Sequence, residues 1–315
     1  MRFSLLATLA SATLIQAECL NEVCSDNSFD LAKASNTNWM GKISSDISVS
    51  AISIPGTHAS MTVTLGNHLD DQCQNTNLEQ QLDGGIRYLD LKARRHGDRL
   101  HIFNGGRSTA YDLGDVFETS IKFLEQHETE FIIMCLTKDS WRDGSHVFET
   151  LVQDSYVNAE TDLGKKIRKR LYIPKNPKDF SYPTLGEIRG KLLIIQDFTT
   201  ETPGRFGIPF KSDKLVVSNW KTASKFVGMS AKWGTVESSI KKANDNSKNN
   251  LHITYTSVSR GIAPFRAAAG PKTEDKGLND RLADYITAGN VARTGVVVMD
   301  FPGKKLVDMI IERNS

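Results

Sequence analysis

The chain has 315 residues, of which 39% are hydrophobic and 24% are charged, and its formal net charge is +2. This is the composition of a globular protein, and the near-neutral charge lacks the basic excess of nucleic-acid-binding proteins. The length allows one large domain or two small ones, since α/β barrels often exceed about 200 residues as a single unit.

Residues 1–17 have the pattern of a secretory signal peptide. Arg2 precedes an apolar run from Phe3 to Leu14, and the segment ends at Ala17. The run is too short to cross a bilayer, and no second apolar segment of spanning length follows. The C-terminal sequence MIIERNS is charged, which argues against a lipid-anchor signal. We therefore expect the mature protein to be soluble and secreted.

Four cysteines remain after removal of this segment: Cys19, Cys24, Cys73 and Cys135. An even number in a secreted chain permits two disulfides and leaves their pairing open. Cys19 and Cys24 can close a small loop, whereas Cys135 lies in the apolar run FIIMCL and is equally compatible with a buried thiol. No Cys-x-x-Cys pair is present, so the cysteines do not indicate a zinc site.

Short apolar runs alternate with helical patterns along the rest of the chain. Most of the runs are β-branched or Leu-rich on both faces, which is typical of strands buried in a parallel sheet. The predicted strands are 51–54, 86–92, 100–103, 131–136, 191–196, 214–219, 251–257 and 294–300. In the first of them, Pro55 and Gly56 are expected to end the strand just before His58. The predicted helices are 112–127, 144–170, 230–243 and 280–289.

Eight strands with mostly helical connections predict an α/β fold, specifically an irregular TIM (β/α)8 barrel. The sequence contains no internal repeat and no low-complexity linker. We expect residues 18–45 to form an N-terminal lead-in and residues 46–315 to form a single barrel domain.

Barrel enzymes carry their chemistry at the C-terminal ends of the strands. A histidine oriented by a carboxylate can act as a general base, a lysine can stabilise charge on a phosphate, and an aromatic ring can pack against a sugar or cyclitol. Residues of these kinds follow the predicted strands: His58, Lys92, Asn104, Asp139, Asp197, Trp220 and Asp300.

A metal site is weakly supported at these strand ends. A hard cation requires several oxygen ligands, yet none of the first three strand ends carries a carboxylate, and one carries Lys92. Asp90 can reach inward, because residues 90 and 92 share one face of their strand.

Six motifs occur in a specific order and spacing: SIPGTHAS, LEQQLDGGIRYLDLKAR, RLHIFNG, FETSIKFLEQHETEFIIMCLTKD, LHITYTSVS and VVVMDF. Together they resemble the X-domain-like phosphatidylinositol-specific phospholipase C family, and especially its secreted, metal-independent, single-domain type. The resemblance extends from about Ile52 to about Lys305. It implies the irregular TIM barrel of the phospholipase-C-like phosphodiesterase fold, with no cofactor and no metal.

The resemblance also implies roles for individual residues. His58 is the general base that deprotonates the inositol 2-hydroxyl, which attacks the phosphorus and expels diacylglycerol, and Asp300 holds the other nitrogen of His58. Lys92 stands where the family has a phosphate-binding arginine; it keeps the charge but loses the bidentate fork.

The resemblance also implies substrate-binding roles at three further positions. Trp220 falls near an aromatic residue that stacks on the inositol ring, and Arg94 and Asp139 match polar positions lining the pocket.

Three positions depart from the family pattern. Ala59 replaces a polar residue after the first histidine, and Asp197 stands near the position of an inositol-binding arginine. Asn104 replaces the histidine that serves as general acid, and an amide cannot donate a proton to a leaving alkoxide. His101 is the nearest spare histidine, but it points to the opposite face of its strand from Asn104.

The first hypothesis is a secreted, metal-independent enzyme that acts transiently at phospholipid membrane surfaces as a monomer. It would convert phosphatidylinositol or a glycosylated derivative to diacylglycerol and cyclic inositol phosphate. The alternative is a weakened or inactive homologue that binds inositol phosphates or lipid headgroups. A metal-dependent phosphodiesterase on the same barrel is disfavoured by Lys92 and the missing carboxylates. No nucleic acid partner is expected.

Overall fold

The computed structural model describes residues 18–139, 144–177, 179–219, 228–245, 249–258, 261–270, 276–289 and 291–315. The predicted signal segment, residues 1–17, and the predicted stacking residue Trp220 lie outside the described residues. None of the helices in these ranges has the length and apolarity that a membrane span requires.

Parallel strands form a curled sheet at the centre of the molecule. The strands of the described residues are β1 (Glu18–Leu20), β2 (Val23–Ser25), β3 (Ile54–Thr57), β4 (Tyr88–His96), β5 (Arg99–Asn104), β6 (Arg107–Asp112), β7 (Ile132–Lys138), β8 (Leu171–Tyr172), β9 (Leu192–Asp197), β10 (Gly207–Pro209), β11 (Leu215–Ser218), β12 (Leu251–Tyr255) and β13 (Val296–Met299). Eight of them form the main path, in the order β10-β9-β7-β4-β3-β13-β12-β11, and each is parallel to its neighbours. The fold is thus an irregular TIM barrel, as predicted.

The predicted strand 100–103 is not part of this path. It corresponds to β5, which pairs antiparallel with β4 and continues through a second turn into β6. The reason is the short connection after His96, because a parallel return needs a crossover of a dozen or more residues. The eighth strand of the path is instead β10, a three-residue strand whose sequence Gly-Ile-Pro has no apolar run to reveal it.

The first predicted strand is shifted along the chain. Residues 49–51 form a 3-10 turn, and β3 contains Pro55 and Gly56, which were expected to end it. Pro55 is tolerated because its carbonyl still accepts from the backbone N–H of Arg87, although the proline offers no N–H in return. The strand therefore ends at Thr57 and places His58 directly at its C-terminal end.

Helices cover the outside of the sheet. They are α1 (Leu78–Asp83), α2 (Leu113–Gln126), α3 (Ser145–Leu151), α4 (Asp162–Arg170), α5 (Leu185–Ile188), α6 (Gly228–Asp245), α7 (Pro264–Ala269), α8 (Leu278–Thr287) and α9 (Lys304–Ile311). Short 3-10 turns lie at Leu31–Lys33, Trp39–Lys42, Val49–Ala51, Thr62–Leu65 and Glu312–Asn314.

The predicted helix 144–170 is wrong as a single element. It consists of α3, a π-helical turn at Val152–Val157, and α4 after a short break. The break occurs because Thr161 is extended and its side chain accepts the backbone N–H of Gly164, which starts a new helix. The predicted helices 112–127, 230–243 and 280–289 correspond to α2, α6 and α8.

Because successive side chains of a strand point to opposite faces of the sheet, the core has two apolar layers, one between the sheet and the helices and one inside the barrel. On β4, Leu89 and Leu91 face the layer between sheet and helices, whereas Tyr88 faces the inner layer with Cys135 and Tyr255. Asp90 and Lys92 share the parity of Tyr88, so the inner face becomes polar towards the C-terminal end of the strand. This change from apolar to polar marks the mouth of the barrel.

The lead-in packs against the barrel beside its last strand. Cys19 and Cys24 form a disulfide within the β1–β2 hairpin, whereas Cys73 and Cys135 are buried free thiols. The backbone N–H of Phe29 donates to the carbonyl of Phe301 at 3.1 Å, and the two rings lie 5.6 Å apart. The N-terminal lead-in therefore packs against the segment that follows β13 and stabilises it.

Candidate active site

His58 and Asp300 form a buried pair at the ends of two adjacent strands. Because Thr57 and Met299 are register partners on β3 and β13, the residues that follow them become neighbours. Nδ1 of His58 lies 2.8 Å from Oδ1 of Asp300, and both residues are almost completely buried. A carboxylate can only accept, so Nδ1 carries the proton and Nε2 holds a free lone pair.

The second nitrogen of His58 faces the barrel interior. Nε2 has no hydrogen-bond partner among the described residues and lies 3.8 Å from Oδ2 of Asp90, too far for a hydrogen bond. The ring of Tyr255 stands edge-on to the imidazole at 6.2 Å, and its hydroxyl lies 3.5 Å from Oδ1 of Asp90. Burial, followed by the charge of Asp90, raises the pKa of Tyr255 well above its ordinary value, so the phenol stays neutral.

The backbone around this pair is held tightly. The side-chain amide of Gln74 donates to the carbonyls of His58 and Met299 at 2.8 and 2.9 Å, which ties the ends of β3 and β13 together. The residues after the pair, Ala59 and Phe301, both have left-handed backbones, with φ of 44° and 43°. Such strained conformations persist where surrounding contacts impose them, and they cluster at functional sites.

Lys92 and Asn104 form a second polar pair, which bridges β4 and β5. Nζ of Lys92 donates to Oδ1 of Asn104 at 3.0 Å. The amide nitrogen of Asn104 donates to the carbonyl of Asp71 at 2.8 Å, which fixes the orientation of the amide. Asn104 therefore presents its oxygen to the lysine and has no acidic proton to give.

Cys73 connects the two pairs. Its Sγ accepts from Nδ2 of Asn104 at 3.6 Å and lies within 4.8 Å of the carboxylate of Asp300, while the thiol donates to the carbonyl of Asp71 at 3.8 Å. Its carbonyl accepts from the backbone N–H of Phe301 at 2.9 Å, which docks this loop onto the end of β13. Burial first, and then the charge of Asp300, raises the pKa of the Cys73 thiol well above its ordinary value.

The other described residues that were predicted as site residues lie on or just after β4, β7 and β9: Arg94, Asp139 and Asp197. Arg94 and Asp139 bind each other at 2.9 Å, and each side chain is 31% exposed, so they form a partly solvated ion pair at the rim. Asp197 accepts from the hydroxyl of Thr137 at 3.1 Å. It also lines a cavity of about 320 Å³, together with Gln196, Phe198, Thr199, Thr200, Pro203, Pro209, Phe210 and Lys211. His101 is the register partner of Arg94 between β4 and β5, and its ring contacts that of His96 at 4.8 Å.

Three residues of the cluster were not predicted as site residues: Cys73, Gln74 and Tyr255. Cys73 and Gln74 lie in a loop without periodicity, so no local pattern assigns them a direction. Tyr255 was recognisable in principle, because strand alternation places it on the same face as Ile253 in the inner layer.

Residues 52–197 match the family model described as phosphatidylinositol-specific phospholipase C, X domain. A 1-phosphatidylinositol phosphodiesterase of Listeria monocytogenes is 30% identical over 300 residues, which cover 88% of this chain and 84% of the relative. The chain belongs to the phosphatidylinositol-specific phospholipase C family. A second family member, the 1-phosphatidylinositol phosphodiesterase of Staphylococcus aureus strain Newman, is 23% identical over 316 residues, or 91% of this chain and 96% of the relative.

Solved structures of the family share the fold. The phosphatidylinositol-specific phospholipase C of L. monocytogenes superposes with a TM-score of 0.73 at 26% identity, covering 90% of this chain and all of that structure. A pentafluoro-Phe variant of the S. aureus enzyme superposes with a TM-score of 0.71 at 22% identity, over 91% of this chain and 99% of that one. The prediction of a phospholipase-C-like barrel is confirmed.

Proposed function

We propose that this protein is a secreted phosphatidylinositol-specific phospholipase C that cleaves phosphatidylinositol or a glycosylated derivative without a metal cofactor. The observation that carries the proposal is the buried pair of His58 and Asp300, which leaves Nε2 of His58 without a described hydrogen-bond partner. The relatives named 1-phosphatidylinositol phosphodiesterase support the same substrate class.

The proposed reaction begins at this free nitrogen. Nε2 of His58 takes the proton of the inositol 2-hydroxyl, and the resulting alkoxide oxygen attacks the adjacent phosphorus. Asp300 keeps the imidazole in the required tautomer and stabilises the imidazolium that forms. The bond from phosphorus to the diacylglycerol oxygen then breaks, which releases diacylglycerol and a cyclic inositol phosphate.

The second pair, Lys92 and Asn104, is proposed to stabilise the negative charge that develops on the phosphate oxygens. Lys92 supplies the positive charge, oriented by its hydrogen bond to Asn104. Arg94 and Asp139, and Asp197 at its cavity, are proposed to contact the inositol ring or its substituents, and Trp220 is proposed to stack on it. The departing diacylglycerol oxygen takes its proton from solvent water, because Asn104 offers only a hydrogen bond.

The substrate class implies transient contact with a phospholipid surface. We propose that residues 1–17 are removed on secretion and that residues 46–315 act as one barrel domain, in monomeric form. The alternative function, binding of inositol phosphates or headgroups without turnover, is favoured by one observation, the amide at position 104.

The test compares turnover of phosphatidylinositol in mixed vesicles by the protein and by His58→Ala, with a chelator present and diacylglycerol as the readout. The control is His146→Ala, since that histidine is 74% exposed and pairs only with the exposed Glu201 among the described residues. We expect His58→Ala to lose about 10²–10⁴-fold and the control to keep its activity. No turnover by the folded wild-type protein would contradict the proposal and favour the binding function.

A further inference from the structure

Three buried side chains with different donor atoms, one of them the proposed base, converge at the ends of β3 and β13. His58, Cys73 and Asp300 each direct one ligand atom into the same volume, and these atoms all lie within 4.8 Å of one another. They come from separate parts of the chain: the end of β3, the loop before α1, and the end of β13. The fold, and not one local motif, assembles this nitrogen–sulfur–oxygen set.

The donor set discriminates between metals. An imidazole nitrogen, a thiolate and one carboxylate oxygen are ligands of Zn²⁺, which takes three protein ligands and a water at sites with an open position. Calcium and magnesium prefer oxygen ligands only, so this set does not suit them. In a tetrahedral zinc site with bonds of about 2.0–2.3 Å, ligand atoms are roughly 3.3–3.8 Å apart. To surround an ion, the longest separation in the cluster, at most 4.8 Å, would have to shorten by about an ångström, and the 2.8 Å contact between His58 and Asp300 would have to lengthen slightly.

The charges around the cluster favour a cation. Asp300 is a ligand, and Asp90 lies 3.8 Å from Nε2 of His58, so two carboxylates face the same volume. Lys92 is the opposing charge, but its Nζ is directed to Oδ1 of Asn104. Nε2 of His58 is buried and has no hydrogen-bond partner among the described residues, which is an unusual state for a buried polar atom.

We propose that His58, Cys73 and Asp300 form a zinc-binding site that switches off the active site. Zn²⁺ would bind Nδ1 of His58, the sulfur of Cys73 and a carboxylate oxygen of Asp300, while the ring proton moves to Nε2 and the thiol proton passes to the buffer. Occupation would break the hydrogen bond between His58 and Asp300 and take the base out of use. The binding site rests on the cluster alone, whereas its inhibitory effect rests on the proposed function.

The binding test uses cobalt, because Co²⁺ adopts zinc sites and shows a sulfur-to-metal charge-transfer band when a thiolate coordinates. The full-length mature protein is titrated with Co²⁺, and then with Zn²⁺ by calorimetry, beside Cys73→Ala and the matched control Cys135→Ala. Both thiols are buried and free, but Cys135 belongs to the inner apolar layer. We expect the band in the wild type and in Cys135→Ala and its loss in Cys73→Ala.

Loss of one of three protein ligands should lower the affinity for Zn²⁺ by at least about 100-fold, since even outer partners of a metal site are worth about 10–100-fold. Absence of the band in the wild type, or equal zinc affinity in all three proteins, would overturn the site. If Cys73→Ala does not fold, Cys73→Ser replaces the sulfur by oxygen at nearly the same size, and loss of the band carries the same test.

The activity test measures phosphatidylinositol turnover against zinc concentration, with each variant referred to its own zinc-free rate. We expect half-inhibition of Cys73→Ala to need about 100-fold more zinc than that of the wild type or Cys135→Ala. A chelator should restore the wild-type rate. Tight zinc binding without loss of turnover would overturn the inhibitory role. If the zinc-free protein shows no turnover, the proposed function fails, while the cobalt band still decides the metal site.

Discussion

The two polar pairs at the mouth of the barrel are built in different ways. His58 and Asp300 follow adjacent parallel strands, are almost completely buried, and have their backbones joined by Gln74. Lys92 and Asn104 instead bridge β4 and the antiparallel β5, which lies outside the main path of the sheet.

In the proposed mechanism, this difference assigns the two halves of the reaction to different parts of the fold. The half that removes a proton is fixed by the barrel itself, because strand register sets the distance between His58 and Asp300. The half that handles the phosphate and the leaving group lies partly on a hairpin, where a change of one side chain leaves the barrel intact. An amide at position 104, where the family resemblance implies an acid, is therefore compatible with an unchanged base.

The largest effect is expected from Asp300→Asn, which changes the pair at the ends of β3 and β13 that removes the proton in the proposed mechanism. An asparagine amide can donate to Nδ1 of His58, which would put the ring proton on Nε2 and block proton uptake from the substrate. We expect kcat to fall about 10³–10⁴-fold. Steady-state kinetics on phosphatidylinositol vesicles measures this, with Asp284→Asn as control, since Asp284 is exposed and pairs with Lys276. A loss of less than about 10-fold would mean that Asp300 does not orient the base.

Substitutions of Lys92 test whether its charge stabilises the phosphate, the step assigned to the pair that bridges β4 and β5. Lys92→Ala should lower kcat about 10²–10³-fold, the range for removing one group that stabilises transition-state charge. Lys92→Arg should stay within about 10-fold of the wild type, because it keeps the charge and adds a bidentate fork. Lys241→Ala is the control, since Lys241 is exposed and pairs with Glu237 on the same helix. Equal losses for alanine and arginine would show that position 92 acts by shape and not by charge.

The smallest effect is expected at Asn104, and it sharpens the comparison. Asn104→His places an ionisable group beside Lys92, and we expect kcat to rise about 10-fold. A new limb should appear in the pH–rate profile near the pKa of a histidine. Asn104→Ala is the reference and should lose only a few-fold. A large loss in both variants would show that the amide itself is needed for turnover.

The strand-end residues were predictable because alternation and strand boundaries are local properties. His58, Lys92 and Asp300 follow apolar runs, and Asp90 shares the face of Lys92 by simple parity. Prediction from local patterns was wrong where the direction of a strand, or its pairing with distant strands, decided its place in the sheet. It assigned 100–103 to the barrel, although the turn before Arg99 is too short for a parallel return, and it missed β10, whose three residues carry no periodic signal.

By itself, the sequence determined the class of fold and the order of the strands whose ends carry the candidate site. Each follows from residue type and short-range spacing. Only the tertiary structure decided that Cys73 lies between the two pairs and that Gln74 joins β3 to β13. These contacts join residues from a loop without periodicity to strands far away in the chain, and only the register of the folded sheet sets the distances between them.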